Sequence, residues 1–186
     1  VLCLLGSLGF RLGTIAGLLL ALDGIHIVLS RTALLDLVLG FWVLAGFGLL
    51  LVDRDRTRQR LADDVRRHGA DRVAAGLGPF LGWRPWRIAA IVTFGLACGT
   101  KWSGIWFLTA FMAMSLIWDA LARRAIGVDH PWSAAFARDL PLAAASTLTI
   151  GIGVYLLTWT GWFATGTGWS RTWAAGQGAY VVPDPL

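Results

Sequence analysis

Residues 88–121 read IAAIVTFGLACGTKWSGIWFLTAFMAMSLIWDAL. As one helix rising 1.5 Å per residue, this stretch would be about 50 Å long, against a bilayer hydrocarbon core of about 30 Å. It would also bury Lys101, and a charge at that depth costs roughly 3 kcal/mol on insertion scales. Broken at 99–104, where Gly99 and Gly104 flank Lys101, it becomes two spans, the first of them short. Two spans return the chain to its starting side and place Arg123, Arg124 and Arg138 with the basic segment 54–87. One long helix would put these basic regions on opposite sides. Cytoplasmic loops carry an excess of Lys and Arg, so the split is favoured.

The rest of the chain fits this parity. Residues 34–52 form the clearest span, charged only at Asp36 near its start. Upstream, residues 1–22 are apolar except for Arg11, which lies between Gly9 and Gly13 and is expected at a tight turn, with a span from about 12 to between 22 and 29. In residues 53–87 Arg54, Arg56, Arg58, Arg60, Arg66 and Arg67 alternate with Asp53, Asp55, Asp63 and Asp64, the pattern of a solvated helix with many local ion pairs. Gly76, Gly78, Pro79, Gly82 and Pro85 then break it, and Trp83 and Trp86 fall where an interfacial aromatic belt is expected. Residues 140–158 make a further span, with Pro141 tolerable in its first turn. The expected cytoplasmic loops are about 53–87 and 122–139. The expected outer segments are about 23–33, 99–104 and 159–186.

Composition agrees. The chain has 186 residues, 56% of them hydrophobic, with a mean hydropathy of +0.65. This predicts an all-α, polytopic transmembrane helical bundle. The net charge of +5 would invite a nucleic-acid partner, but the arginines cluster between apolar spans, so the partner expected is the lipid bilayer and not nucleic acid. The chain begins inside an apolar run at Val1 and ends at Leu186 without a terminal anchor, as expected of a fragment. Cys3 and Cys98 sit in apolar segments without a CxxC or metal spacing, and no metal or cofactor is expected. There is no phosphate-binding P-loop, GxGxxG, HExxH or GxSxG motif. His68 and His130 lie in cytoplasmic loops without partner spacing and are expected at the surface.

Three groups of residues carry chemistry. Asp23, His26, Arg31 and Asp36 lie together at a membrane boundary, where ionisable groups are rarely kept for packing alone. Asp23 and His26 share a face if helical, and the planar fork of Arg31 suits phosphate. Lys101, the only lysine, stands between glycines beside Trp102 and Trp106, where a cation can meet an anionic head group. The third group, Trp169, Arg171, Trp173 and Gln177, can stack on or bond to sugars and phosphates. Against these stand plainer readings: snorkelling, a structural ion pair, a solvated lysine in a short loop, and tryptophans resting on the interface.

Residues 22–24 (LDG), 30–36 (SRTALLD) and 95–104 (GLACGTKWSG) resemble protein O-mannosyltransferases of the actinobacterial type, as do residues 156–163 and the loop GWSRTWAA at 168–175. Order and spacing agree over nearly the whole chain. The resemblance implies a GT-C membrane fold, multi-pass in the cell membrane with its active site on the outer face. It implies transfer of mannose from polyprenyl-phosphate-mannose to Ser or Thr hydroxyls of secreted proteins, with inversion at the anomeric carbon. In the family an acidic pair in the first outer loop carries the catalytic carboxylate. That loop is expected upstream of residue 1, so no general base is assigned, Asp23 is not promoted to that role, and residues 1–186 alone are expected to be inactive. A lipid-phosphate donor needs cations at the membrane surface to stabilise the leaving phosphate. Arg31 and Lys101 are expected to supply them, with Arg171 assisting and Asp23, His26, Asp36, Trp102 and Trp169 in support; Asp36 could orient Arg31. The alternatives are another GT-C transferase using a polyprenyl-phosphate sugar on a lipid or glycan acceptor, a transporter with Lys101 at a helix break, and a non-catalytic membrane scaffold.

Overall fold

A computed structural model of the chain describes residues 2–24, 27–28 and 35–165, with side chains from residue 9 onward. His26, Arg31, Trp169, Arg171, Trp173 and Gln177 lie outside the described residues. Within those described, the chain is helical and contains no strand. In order come α1 (Leu2–Leu22), α2 (Leu35–His68), α3 (Ala70–Ala74), α4 (Pro85–Thr100), α5 (Gly104–Ala125), α6 (Pro131–Thr158) and α7 (Thr160–Ala164). Three of these, α2, α5 and α6, are long and apolar enough to cross a membrane. The fold is an all-α, multi-pass membrane bundle.

The expected split is present. Lys101 ends α4 and α5 begins at Gly104. The 16-residue α4 is the shortest of the four packed helices yet the centre of the bundle, contacting α2, α5 and α6. Its Ala90, Ile91, Phe94 and Ala97 are completely buried. Leu50, Ala90 and Phe94 form one apolar cluster with Phe111 and Trp118 against it; Ile91, Met112 and Ala143 form another. Contact is close because small residues allow it. A Cβ added at Gly46 would stand 2.8 Å from the Phe94 ring, inside van der Waals contact.

Three expectations are corrected. No turn forms at Arg11: α1 runs unbroken through it, since two flanking glycines weaken a helix without ending it. The charged segment 53–68 is a largely exposed helix, but it lacks the many local ion pairs expected of it. The apolar span and residues 53–68 are one helix, α2, whose buried stripe of Leu39, Gly46, Leu50, Asp53, Thr57 and Leu61 crosses the boundary in phase. Along its charged half Arg66–Asp63 is the one local ion pair among the described residues, while Asp53 finds a distant partner. The last span starts at Pro131 and not near 140, which shortens the loop before it to 126–130. Pro141 therefore lies within α6. A proline ring clashes with the carbonyl four residues back, and the helix widens into a π turn over Ala135–Asp139 just before it, with the Leu140 amide bonding five residues back to Ala135.

The packing defines two ends. Asp36 opens α2, Lys101 follows α4, and Thr158 closes α6 against Gly99, so these lie together. Asp53, Arg84, Asp119 and Arg123 gather at the other end with Asp139. Seventeen helical positions of α2, about 25 Å at 1.5 Å each, separate Asp36 from Asp53.

Candidate functional site

The Lys101 end is built by a tight helix reversal. The Lys101 amide donates to Ala97 O (3.0 Å), and its carbonyl accepts from the Gly104 amide (2.8 Å). A Cβ at Gly104 would come within 2.8 Å of the Ala97 backbone, and one at Gly99 within 2.6 Å of Thr158, so both positions need glycine for close approach. This fixes the backbone from which the lysine projects. Its Nζ stands 2.5 Å from Asp36 Oδ1, and the two side chains are 44% and 53% exposed. The sequence reading put both residues at one boundary; the structure brings them into contact and gives Asp36 to Lys101. An ammonium has three donors, so one bond to Asp36 leaves capacity for an incoming anion. Trp102 is two-thirds exposed beside the lysine and meets Tyr155 edge-on at 6.4 Å. From there Tyr155, Trp159, Trp162 and Phe163 continue as edge-to-face neighbours. Asp23 follows α1, its amide donating to Leu20 O and its carbonyl accepting from Ile27.

The opposite end escaped the sequence reading. Arg84 forks onto Asp53, with Nε 3.3 Å from Oδ1 and Nη2 on Oδ2, and reaches Asp119 Oδ2 through Nη1 at 2.5 Å. Arg87 bonds the same Asp119 oxygen. Arg123, fully buried, bonds Asp139 at 2.9 Å and the carbonyl of Pro79 at 3.2 Å. Arg138 holds the carbonyl of Gly78. Burial alone would lower the Arg84 pKa, but Asp119 and then Asp53 outweigh it, and the guanidinium is held above its ordinary value. A signal existed in the sequence: Asp53 lies in register with Leu50 and Thr57, and Asp119 with Met112 and Ser115, on buried stripes at helical spacing. Further out, Arg56 stacks on Trp86 at 5.1 Å, Trp83 is exposed, and His68 and His130 are at the surface as expected.

A cavity of about 160 Å³ adjoins this network, lined by Arg84, Arg87, Asp139 and Ser146 with Trp83 and Leu142. Its cations are already held by buried carboxylates, so it offers an incoming anion less than the half-exposed Lys101 does. Among the described residues no cluster of three or more His, Cys, Asp or Glu is placed to hold a metal.

No family model matches the chain, and no solved structure matches it. Curated proteins do. It is 45% identical over 177 residues, 93% of its length, to the polyprenol-phosphate-mannose–protein mannosyltransferase of Mycobacterium tuberculosis (strain CDC 1551 / Oshkosh). It is 45% identical over 86% of its length to the protein of that name from Mycolicibacterium smegmatis (strain MKD8). It is 33% identical over 82% to the one from Corynebacterium glutamicum. The chain spans about a third of the length of these relatives, 33%, 30% and 29% respectively. With its helical membrane architecture and motifs in the same order and spacing, the chain is similar along most of its length to the polyprenol-phosphate-mannose–protein mannosyltransferases.

Proposed function

We propose that the Lys101 end of this bundle holds the donor phosphate of a cell-membrane enzyme that transfers mannose from polyprenyl-phosphate-mannose to Ser or Thr hydroxyls of secreted proteins. The carrying observation is a half-exposed ammonium at a helix break, fixed by a tight backbone turn and bonded to one exposed carboxylate. In the transfer, the acceptor oxygen bonds to the anomeric carbon as the bond from that carbon to the phosphate oxygen breaks, its electron pair leaving with the phosphate. The hydroxyl proton passes to a carboxylate base, which the family resemblance assigns to an acidic loop not among residues 1–186. Lys101 stabilises the charge growing on the leaving phosphate, where preorganised cations act most strongly. The family resemblance assigns Arg31 and Arg171 to the same role, with Asp23, His26, Asp36, Trp102 and Trp169 in support. The site faces outward: the arginine-rich opposite end obeys the cytoplasmic bias of basic loops. The relatives' names speak for transfer and against the transporter and scaffold readings.

Two measurements test this. In the full-length protein, inserted and equally abundant, Lys101→Ala lowers mannosyl transfer about a hundredfold, the loss of about 3 kcal/mol of transition-state stabilisation. Lys101→Arg restores part of it, since a planar fork does not replace a compact ammonium. Wild-type rates for Lys101→Ala across donor concentrations would make the lysine structural. With native cysteines replaced, an impermeant thiol reagent applied from outside labels a cysteine at Ser103 and not one at Ala70. The reverse pattern would invert the topology.

A further inference from the structure

We propose that Asp36 is a positioning residue that competes with phosphate for Lys101 and thereby favours release of the product. The inference rests on the donor reading of the Lys101 end. It starts from the change in charge during transfer. The donor is a phosphodiester with one negative charge. Once the anomeric carbon leaves, the phosphate is a monoester carrying about −1.5 to −2 at pH 7. An ammonium alone therefore holds the product more tightly than the substrate, and Coulomb attraction grows in proportion to the charge. Such a site would be slowed by its own leaving group.

The geometry supplies a counterweight. Asp36 Oδ1 reaches Lys101 Nζ at 2.5 Å from a different helix, 65 positions away in the chain. Both side chains are about half exposed, so a phosphate can reach the ammonium, and the carboxylate can turn aside, without opening the core. Asp36 sits in the first turn of α2, where the helix dipole favours a negative charge even when the lysine is engaged elsewhere. The carboxylate repels a doubly charged phosphate more than a singly charged one, and it re-forms its bond to Lys101 as the phosphate departs. It thus offsets the preference for product over donor that a bare cation would show.

The test uses the full-length enzyme in membranes and short-chain polyprenyl monophosphate as product inhibitor. The readout is the ratio of the inhibition constant to the donor KM. Asp36→Asn is expected to tighten product inhibition about tenfold while donor KM falls by about threefold or less, with kcat reduced where release limits turnover. Asp36→Glu, which keeps the carboxylate, restores the wild-type ratio. In a Lys101→Ala background, Asp36→Asn moves the ratio less than in the wild type, because the competition is gone and only direct repulsion is left to lose. A merely structural Asp36 alters folded yield without moving the ratio. If Asp36→Asn shifts both constants equally or neither, while Lys101→Ala still impairs donor use, the competition is overturned and the donor reading stands. If Lys101→Ala has no effect on donor use, the donor reading falls and this inference with it. Should Asp36→Asn fail to accumulate, Asp36→Ser read by the same ratio decides the question.

Discussion

At the Arg84 end, three arginines and three aspartates are packed below 9% exposure, linked in one network or paired. At the Lys101 end, one lysine and one aspartate meet at about half exposure. The groups are chemically alike and their surroundings differ. A buried ion pair repays desolvation only when its partners stay in place, and removing one member strands the other. An exposed pair is worth about 0–1 kcal/mol and gives way easily. The first arrangement suits holding helices together. The second suits exchanging one anion for another.

The sharpest attempt to break this contrast is Asp119→Ala. It removes the carboxylate shared by Arg84 and Arg87, leaving Arg84 bonded to Asp53 and Arg87 without the carboxylate it bonds. A loss of about 3–5 kcal/mol is expected, seen as a collapse of folded yield and of the thermal midpoint in detergent. A midpoint within a degree of wild type would make the network dispensable. Next comes Gly104→Ala. Its methyl would press on the Ala97 backbone, and about 1–3 kcal/mol of destabilisation is expected together with weakened donor use, because the turn carrying Lys101 must shift. Normal stability with normal donor affinity would show that the turn can yield. The smallest effect is expected on stability from Lys101→Ala, at most about 1 kcal/mol and shrinking further at high salt, although its effect on transfer is large. A thermal loss as large as that of Asp119→Ala would erase the distinction between the two ends.

The sequence made much of this legible. The helical membrane class, the break at 99–104 and the common boundary of Asp36 and Lys101 all follow from charge interrupting long apolar runs. The same rule misled at the other end. Arginines between apolar spans read as a solvated basic loop, and for Arg58 and Arg66 exposure agrees. For Arg84, Arg87 and Arg123 it does not, because their aspartate partners are distant in the chain and only the fold brings them near. Asp119 and Asp53 were readable only by following the buried stripe past the point where hydropathy changes. The start of α6 was hidden for a related reason: a proline reads as a beginning, whereas here a π turn absorbs it in mid-helix.

The brevity of α4 bears on how the protein enters the bilayer. Sixteen residues cover about 24 Å, short of the about 20 residues that commit a segment to insertion by itself, and two arginines stand at its leading end. The carboxylates that neutralise them come from α2, already synthesised, and from α5, not yet made when α4 emerges. The glycine-tight reversal at Lys101 makes α4 and α5 a natural hairpin. The pair is then the smallest unit expected to partition stably, and a released chain truncated after Thr100 should leave α4 accessible to water.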